Sequence, residues 1–188
     1  MSAQTSYSKV AMRLHWAIAI LIISLLCVGL LMGYLPNGGS LKSAVYNWHK
    51  TLGLLVLVLS LFRLYWRLTH KLPAQVGGVK AWEEKLAGAV HWFFYGFMIV
   101  MPFVGWGISS TSRYPSRLFN AIPLPRLPIL SSVENRKEVH HFFEETHEIL
   151  AYIAIALIVL HVVAAIKHQL GGKAVLARMI PAMKKDDS

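Results

Sequence analysis

Apolar residues are gathered along this chain into four long stretches, each of a length that crosses a bilayer as a helix. The first covers residues 14–35 and stops at the turn signal Pro36-Asn37-Gly38-Gly39. The second, residues 48–68, opens on Trp48-His49 and closes on Arg63 and Arg67. After a polar loop with Pro73 and Gly77-Gly78, an amphipathic approach at 81–87 leads into the third, residues 88–108. Pro102 is expected to kink it, which a membrane helix tolerates when neighbours satisfy the freed backbone groups. The longest connection, 109–137, holds Pro115, Pro123, Pro125 and Pro128 and reads as irregular. The fourth stretch lies within 140–168, and a basic tail follows it. The pattern predicts helices at about 13–35, 48–68, 82–109 and 140–168. Together they form one all-α, integral-membrane four-helix bundle over residues 1–188.

Composition strengthens this reading. Of 188 residues, 55% are hydrophobic and only 15% charged, where a soluble domain carries about 25% charged. The net charge of +10 therefore does not imply nucleic acid, because Lys and Arg crowd the helix ends as interfacial anchors do. Twelve of them fall on the side of the N-terminus, the second loop and the C-terminus, against seven on the other. That bias places both termini in the cytoplasm. Residues 1–10 are polar and the apolar run behind them is too long for a signal peptide, so no cleaved leader is expected. The lone Cys27 allows neither an intrachain disulfide nor a thiolate metal site.

Histidine changes the picture most. In the fourth stretch, His140, His147, His161 and His168 form a seven-residue ladder whose missing rung is Ala154. Seven residues is about two turns, so the imidazoles share one helix face. The 14 residues between His147 and His161 span roughly 21 Å of axis. With alternating helix directions, His49 shares the outer depth with His147, and His15 shares the inner depth with His161. Two imidazoles per site leave a bare ion under-coordinated, but they complete a haem, whose ring supplies four nitrogens. Ala19 and Gly53, each four residues after a ligand, leave room for a flat macrocycle, although small residues are common at membrane interfaces anyway. Arg63 and Arg67 suit haem propionates, with snorkelling to the headgroups as the plainer reading. His91 and His168, at similar inner depth, are candidates to hold the carbonyl of a membrane quinone. His70, His140 and His141 read as surface residues.

The chain resembles the prokaryotic cytochrome b561 family. The carriers are His15-Trp16, His49-Lys50-Thr51-Leu52-Gly53, Arg63 and Arg67, His91, the paired His147 and His161, His168, and the tail from Leu176 to Pro181. The resemblance implies a di-haem protein of the bacterial inner membrane, with His15, His49, His147 and His161 as the haem b ligands and ubiquinone as electron acceptor. It also implies two candidate activities: oxidation of superoxide outside with ubiquinone reduced, or electron exchange with a periplasmic redox protein. The three arginines of the 113–126 loop suit a small anionic donor, while Glu134, Glu138, Glu144, Glu145 and Glu148 oppose that field or suit a basic partner protein. A non-redox rival, a histidine-lined proton or metal transporter, would need a continuous polar path, and the first helix offers little beyond Ser24.

Overall fold

The computed structural model describes residues 6–73, 77–130 and 132–180. Four helices carry the fold: α1 (Lys9–Met32), α2 (Ser40–Thr69), α3 (Ala81–Thr111) and α4 (Arg136–Leu170). All four are long and apolar enough to cross a membrane. They contain 24 to 35 residues, which at about 1.5 Å per residue exceeds a hydrocarbon core of roughly 30 Å. The surplus is polar. Helix α2 begins eight residues before Trp48, and α4 begins four before His140, because backbone hydrogen bonding does not stop where hydropathy does. Ser8 caps α1, accepting from the Ala11 amide. Helix α3 continues through Pro102.

Helix α1 packs on α2, α2 on α3, and α3 on α4. Among the described residues, α4 has no comparable close packing on α1 or α2. At mid-height the bundle is filled by Ile18, Phe97, Met98 and Ala154, with Ile22, Leu59, Met101 and Leu150 around them. Ala154 is fully buried, so the missing rung of the ladder lies inside the packed middle of the bundle.

The connection from α3 to α4 is not wholly irregular. It holds a small antiparallel hairpin, β1 (Arg117–Leu118) paired with β2 (Ile122–Pro123), and a 3-10 turn at Pro128–Leu130. Phe119 and Asn120 take the left-handed conformation at its tip, within a three-residue loop completed by Ala121; asparagine tolerates that conformation better than most residues. After α4, a short 3-10 turn (Leu176–Arg178) brings the chain back across the start of α1. There Tyr7 N–H donates to the Arg178 carbonyl, and the Trp16 indole donates to the carbonyl of Met179.

Candidate functional site

One half of the bundle, called outer here from the orientation expected of the charge bias, holds His49 on α2 and His147 on α4. Their ring centroids are 6.2 Å apart with planes at 62°. Each ring is backed by a glycine on a third helix. A Cβ at Gly29 of α1 would lie 3.6 Å from His49 Cε1, and one at Gly105 of α3 would lie 3.3 Å from His147 Cε1. One turn below His49, a Cβ at Gly53 would meet nothing within 4 Å. Helix α3 can approach α4 this closely because Phe143 lies flat on Gly107, where a Cβ would come within 2.7 Å of the ring. The Nδ1 atoms of His49 and His147 are both buried without a hydrogen-bond partner. Such an orphan costs about 1–3 kcal/mol, and its recurrence in both members of a pair calls for a function.

Side chains flanking His49 tie the α3–α4 hairpin down over this pair. The Asn47 side chain donates to Asn120 Oδ1 (2.9 Å) and accepts from the Arg117 amide (3.1 Å). Thr51 Oγ1 accepts from the Phe119 amide (2.9 Å), and Lys50 Nζ donates to Ser116 Oγ (2.7 Å). Trp48 meets the Phe119 ring edge-on at 5.8 Å. At the far end of the loop, Arg136 of α4 donates to the carbonyls of Ser110, Thr111 and Ser112, capping α3.

The inner half holds His15 on α1 and His161 on α4, 6.5 Å apart with planes at 66°. Here a third imidazole joins: His91 of α3 meets His161 at 5.7 Å, with Phe94 at the same distance. Trp16 packs on His15 at 5.3 Å. Buried Tyr95, one turn beyond His91, accepts from Arg63 Nε at 3.3 Å, and Arg67 stacks over Trp92 and Tyr95 at 5.6 and 5.5 Å. Among the described residues neither arginine has a carboxylate partner. Both line a cavity between α1, α2 and α3 that His91 and Tyr95 also face.

The structure thus brings together His49 with His147, His15 with His161, and His91 with the inner pair. It does not bring His91 to His168. No ring contact or hydrogen bond joins them, and His168 lies nearer the surface, within electrostatic reach of Glu83, which pairs with Lys167 at 3.6 Å. His140 is not a plain surface residue: its Nδ1 is 2.8 Å from Thr111 Oγ1 and its Nε2 3.2 Å from Glu144. His70 stacks on Trp66 at 3.7 Å. Sequence reasoning missed Gly29, Gly105, Gly107, Tyr95 and the Asn47–Thr51 anchor. A faint signal existed for two of them, since Gly105-Trp106-Gly107 interrupts an apolar helix where only close approach rewards glycine.

Two imidazoles bound to one metal ion at about 2 Å each would place their centroids about 6 Å apart, the spacing of both pairs. The ring spacing, the glycine backing and the orphaned Nδ1 atoms all fit a haem held between His49 and His147. The inner pair fits on spacing and on the two arginines free to meet carboxylates. No group of three or more His, Cys, Asp or Glu able to hold a bare metal ion occurs among the described residues.

Comparison with known proteins agrees with this geometry. The sequence model for prokaryotic cytochrome b561 matches residues 6–182. Cytochrome b561 homolog 1 of Escherichia coli (strain K12) is 28% identical over 182 residues, covering 95% of this chain and 98% of the relative. Cytochrome b561 homolog 2 of the same organism is 23% identical over 162 residues, covering 86% and 84%. With the family model spanning nearly the whole chain, four apolar helices and paired histidines between them, this protein belongs to the prokaryotic cytochrome b561 family, haem b electron-transfer proteins of bacterial membranes.

Proposed function

We propose that the chain is a di-haem electron conduit of the inner membrane, with both termini cytoplasmic, linking a periplasmic donor to the ubiquinone pool. One observation carries this reading: the two histidine pairs stand at opposite ends of the bundle, 14 residues apart on α4. A bis-histidine haem b supplies reversible one-electron chemistry with no open coordination position, which favours electron transfer over oxygen binding. The rest falls to the protein. His49 and His147 would hold the outer haem, and His15 and His161 the inner one. Between them, Ile18, Phe97, Met98 and Ala154 exclude water and set a low dielectric. Arg63 and Arg67 present forked donors suited to inner propionates.

His91 is the residue best placed to face a quinone carbonyl, because it packs on the inner pair. His168, beside Glu83 and nearer the surface, is suited to relay a proton inward, since reduced quinone takes up one proton per carbonyl. Outside, Arg113, Arg117 and Arg126 favour a small anion such as superoxide, which would make the protein a superoxide:ubiquinone oxidoreductase. A periplasmic redox protein as donor is the second reading, favoured by the exposed Glu144 and Glu145.

The test is stopped-flow re-oxidation of the reduced protein by a soluble ubiquinone. Rapid re-oxidation, slowed in His91→Leu with both haems retained, is expected. Re-oxidation at the same rate in His91→Leu and His168→Leu, but slowed by substitutions beside His49, would move the quinone to the outer face. Reporter fusions after Ser188 and within 113–126 check the orientation, with cytoplasm and periplasm expected respectively.

A further inference from the structure

Where the chain returns across the start of α1, a groove of about 700 Å³ opens between Lys9, Met12, Arg13 and Trp16 on one wall and Met179 and Ile180 on the other. That volume lies within the range of small-molecule sites, about 300–1,000 Å³. Positions 9, 12, 13 and 16 fall on one face of α1. The opposite wall is held in place by the Trp16 indole, which donates to the Met179 carbonyl at 3.0 Å, and by the Tyr7–Arg178 backbone bond at 3.4 Å. The groove is therefore a built feature of two segments 163 residues apart, and not a gap beside a single helix.

Its chemistry is two-fold. Met12, Trp16, Met179 and Ile180 make an apolar floor, while Lys9 and Arg13, one turn apart, supply positive charge at its rim. Among the described residues neither cation has an ion pair or a hydrogen bond, and no carboxylate lines the groove. Depth agrees as well. The 24 residues of α1 rise about 36 Å against a hydrocarbon core of roughly 30 Å, so its first turn stands at headgroup level.

We propose that this groove is a binding site for an anionic phospholipid, with the phosphate between Lys9 and Arg13 and an acyl chain along Met12, Trp16 and Met179. A neutral detergent or a zwitterionic lipid meets the same floor but gains nothing from the two cations. The site abuts the inner histidine pair through Trp16, whose ring packs on His15 at 5.3 Å.

The experiment is native mass spectrometry of the delipidated full-length protein, titrated with phosphatidylglycerol or phosphatidylcholine. Phosphatidylglycerol is expected to bind tightly at one site and phosphatidylcholine weakly. Each cation near a membrane surface contributes enough that Lys9→Gln with Arg13→Gln should weaken phosphatidylglycerol about thirtyfold and leave phosphatidylcholine unchanged. Met179→Glu sets a like charge in the groove without touching either cation, and should weaken it in the same direction. Equal binding of the two lipids, or phosphatidylglycerol binding indifferent to both sets of substitutions, would overturn the proposal. So would a large gain in affinity on shortening the chain after Ile180, which would make the tail's own Asp186 and Asp187 the occupant.

Discussion

The two ends of this bundle use the same ligand type and surround it differently. At the outer end, the His49–His147 pair is shut between glycine backbones and roofed by a hairpin that Asn47, Lys50 and Thr51 hold down. At the inner end, the His15–His161 pair has a third imidazole, two arginines, a tyrosine and a cavity beside it. Rigid enclosure suits a site that only passes electrons, because close packing and a fixed dielectric leave little around it to rearrange when its charge changes. A polar, partly open site suits one where electrons meet protons. On the proposed reading, the contrast gives different work to two pairs that the histidine spacing alone makes look equivalent.

The largest effects should come from the ligands. His49→Ala or His147→Ala is expected to remove the outer redox component and leave the inner, and His15→Ala or His161→Ala to do the reverse, read by optical redox titration. Loss of the same component from His15→Ala and His49→Ala would erase the distinction between the ends.

Next in size are the glycines that back a histidine ring, which among the described residues stand only at the outer end. In Gly105→Ile the new side chain must displace His147, and in Gly107→Val it must displace Phe143. Overpacking of this kind costs roughly 1–3 kcal/mol, so a lower melting temperature in detergent and a weakened outer component are expected. The inner component should keep its potential.

Smaller still is the roof. Thr51→Ala leaves the Phe119 amide without its acceptor, a loss of about 1–2 kcal/mol locally. Hydrogen exchange should rise at 116–123 and nowhere around His15. Uniform protection across the loop would show that the hairpin is held by something other than the α2 side chains. The smallest expected effect is Tyr95→Phe, which removes one 3.3 Å bond from Arg63. Stability should fall by less than about 1 kcal/mol, with any change in potential confined to the inner component.

Much of this was legible beforehand, for identifiable reasons. A bilayer imposes a length on apolar runs, so four helices were readable, and a helix face has a period, so His147 and His161 pointed to two depths. The polar beginnings of α2 and α4 were not readable, because hydropathy reports the solvent and not the hydrogen-bonded extent of a helix. Gly29 and Gly105 matter only through contacts across helices, which no local pattern encodes. The hairpin at 117–123 lies in a Pro-rich stretch without periodicity, and its fixed position depends on Asn47 and Thr51, far away in sequence. By position in their apolar stretches His91 and His168 read at a similar depth, yet such a reading does not fix direction. The structure sends one to His161 and leaves the other near Glu83.

The pairing itself is tested most directly by counting haem per chain in two double variants. His49→Ala with His147→Ala removes both ligands of one site, whereas His15→Ala with His147→Ala removes one ligand from each. The first is expected to retain the inner haem with its spectrum and potential unchanged, and the second to retain none. A within-pair variant stripped of both haems, or a cross-pair variant that keeps one intact, would contradict the account.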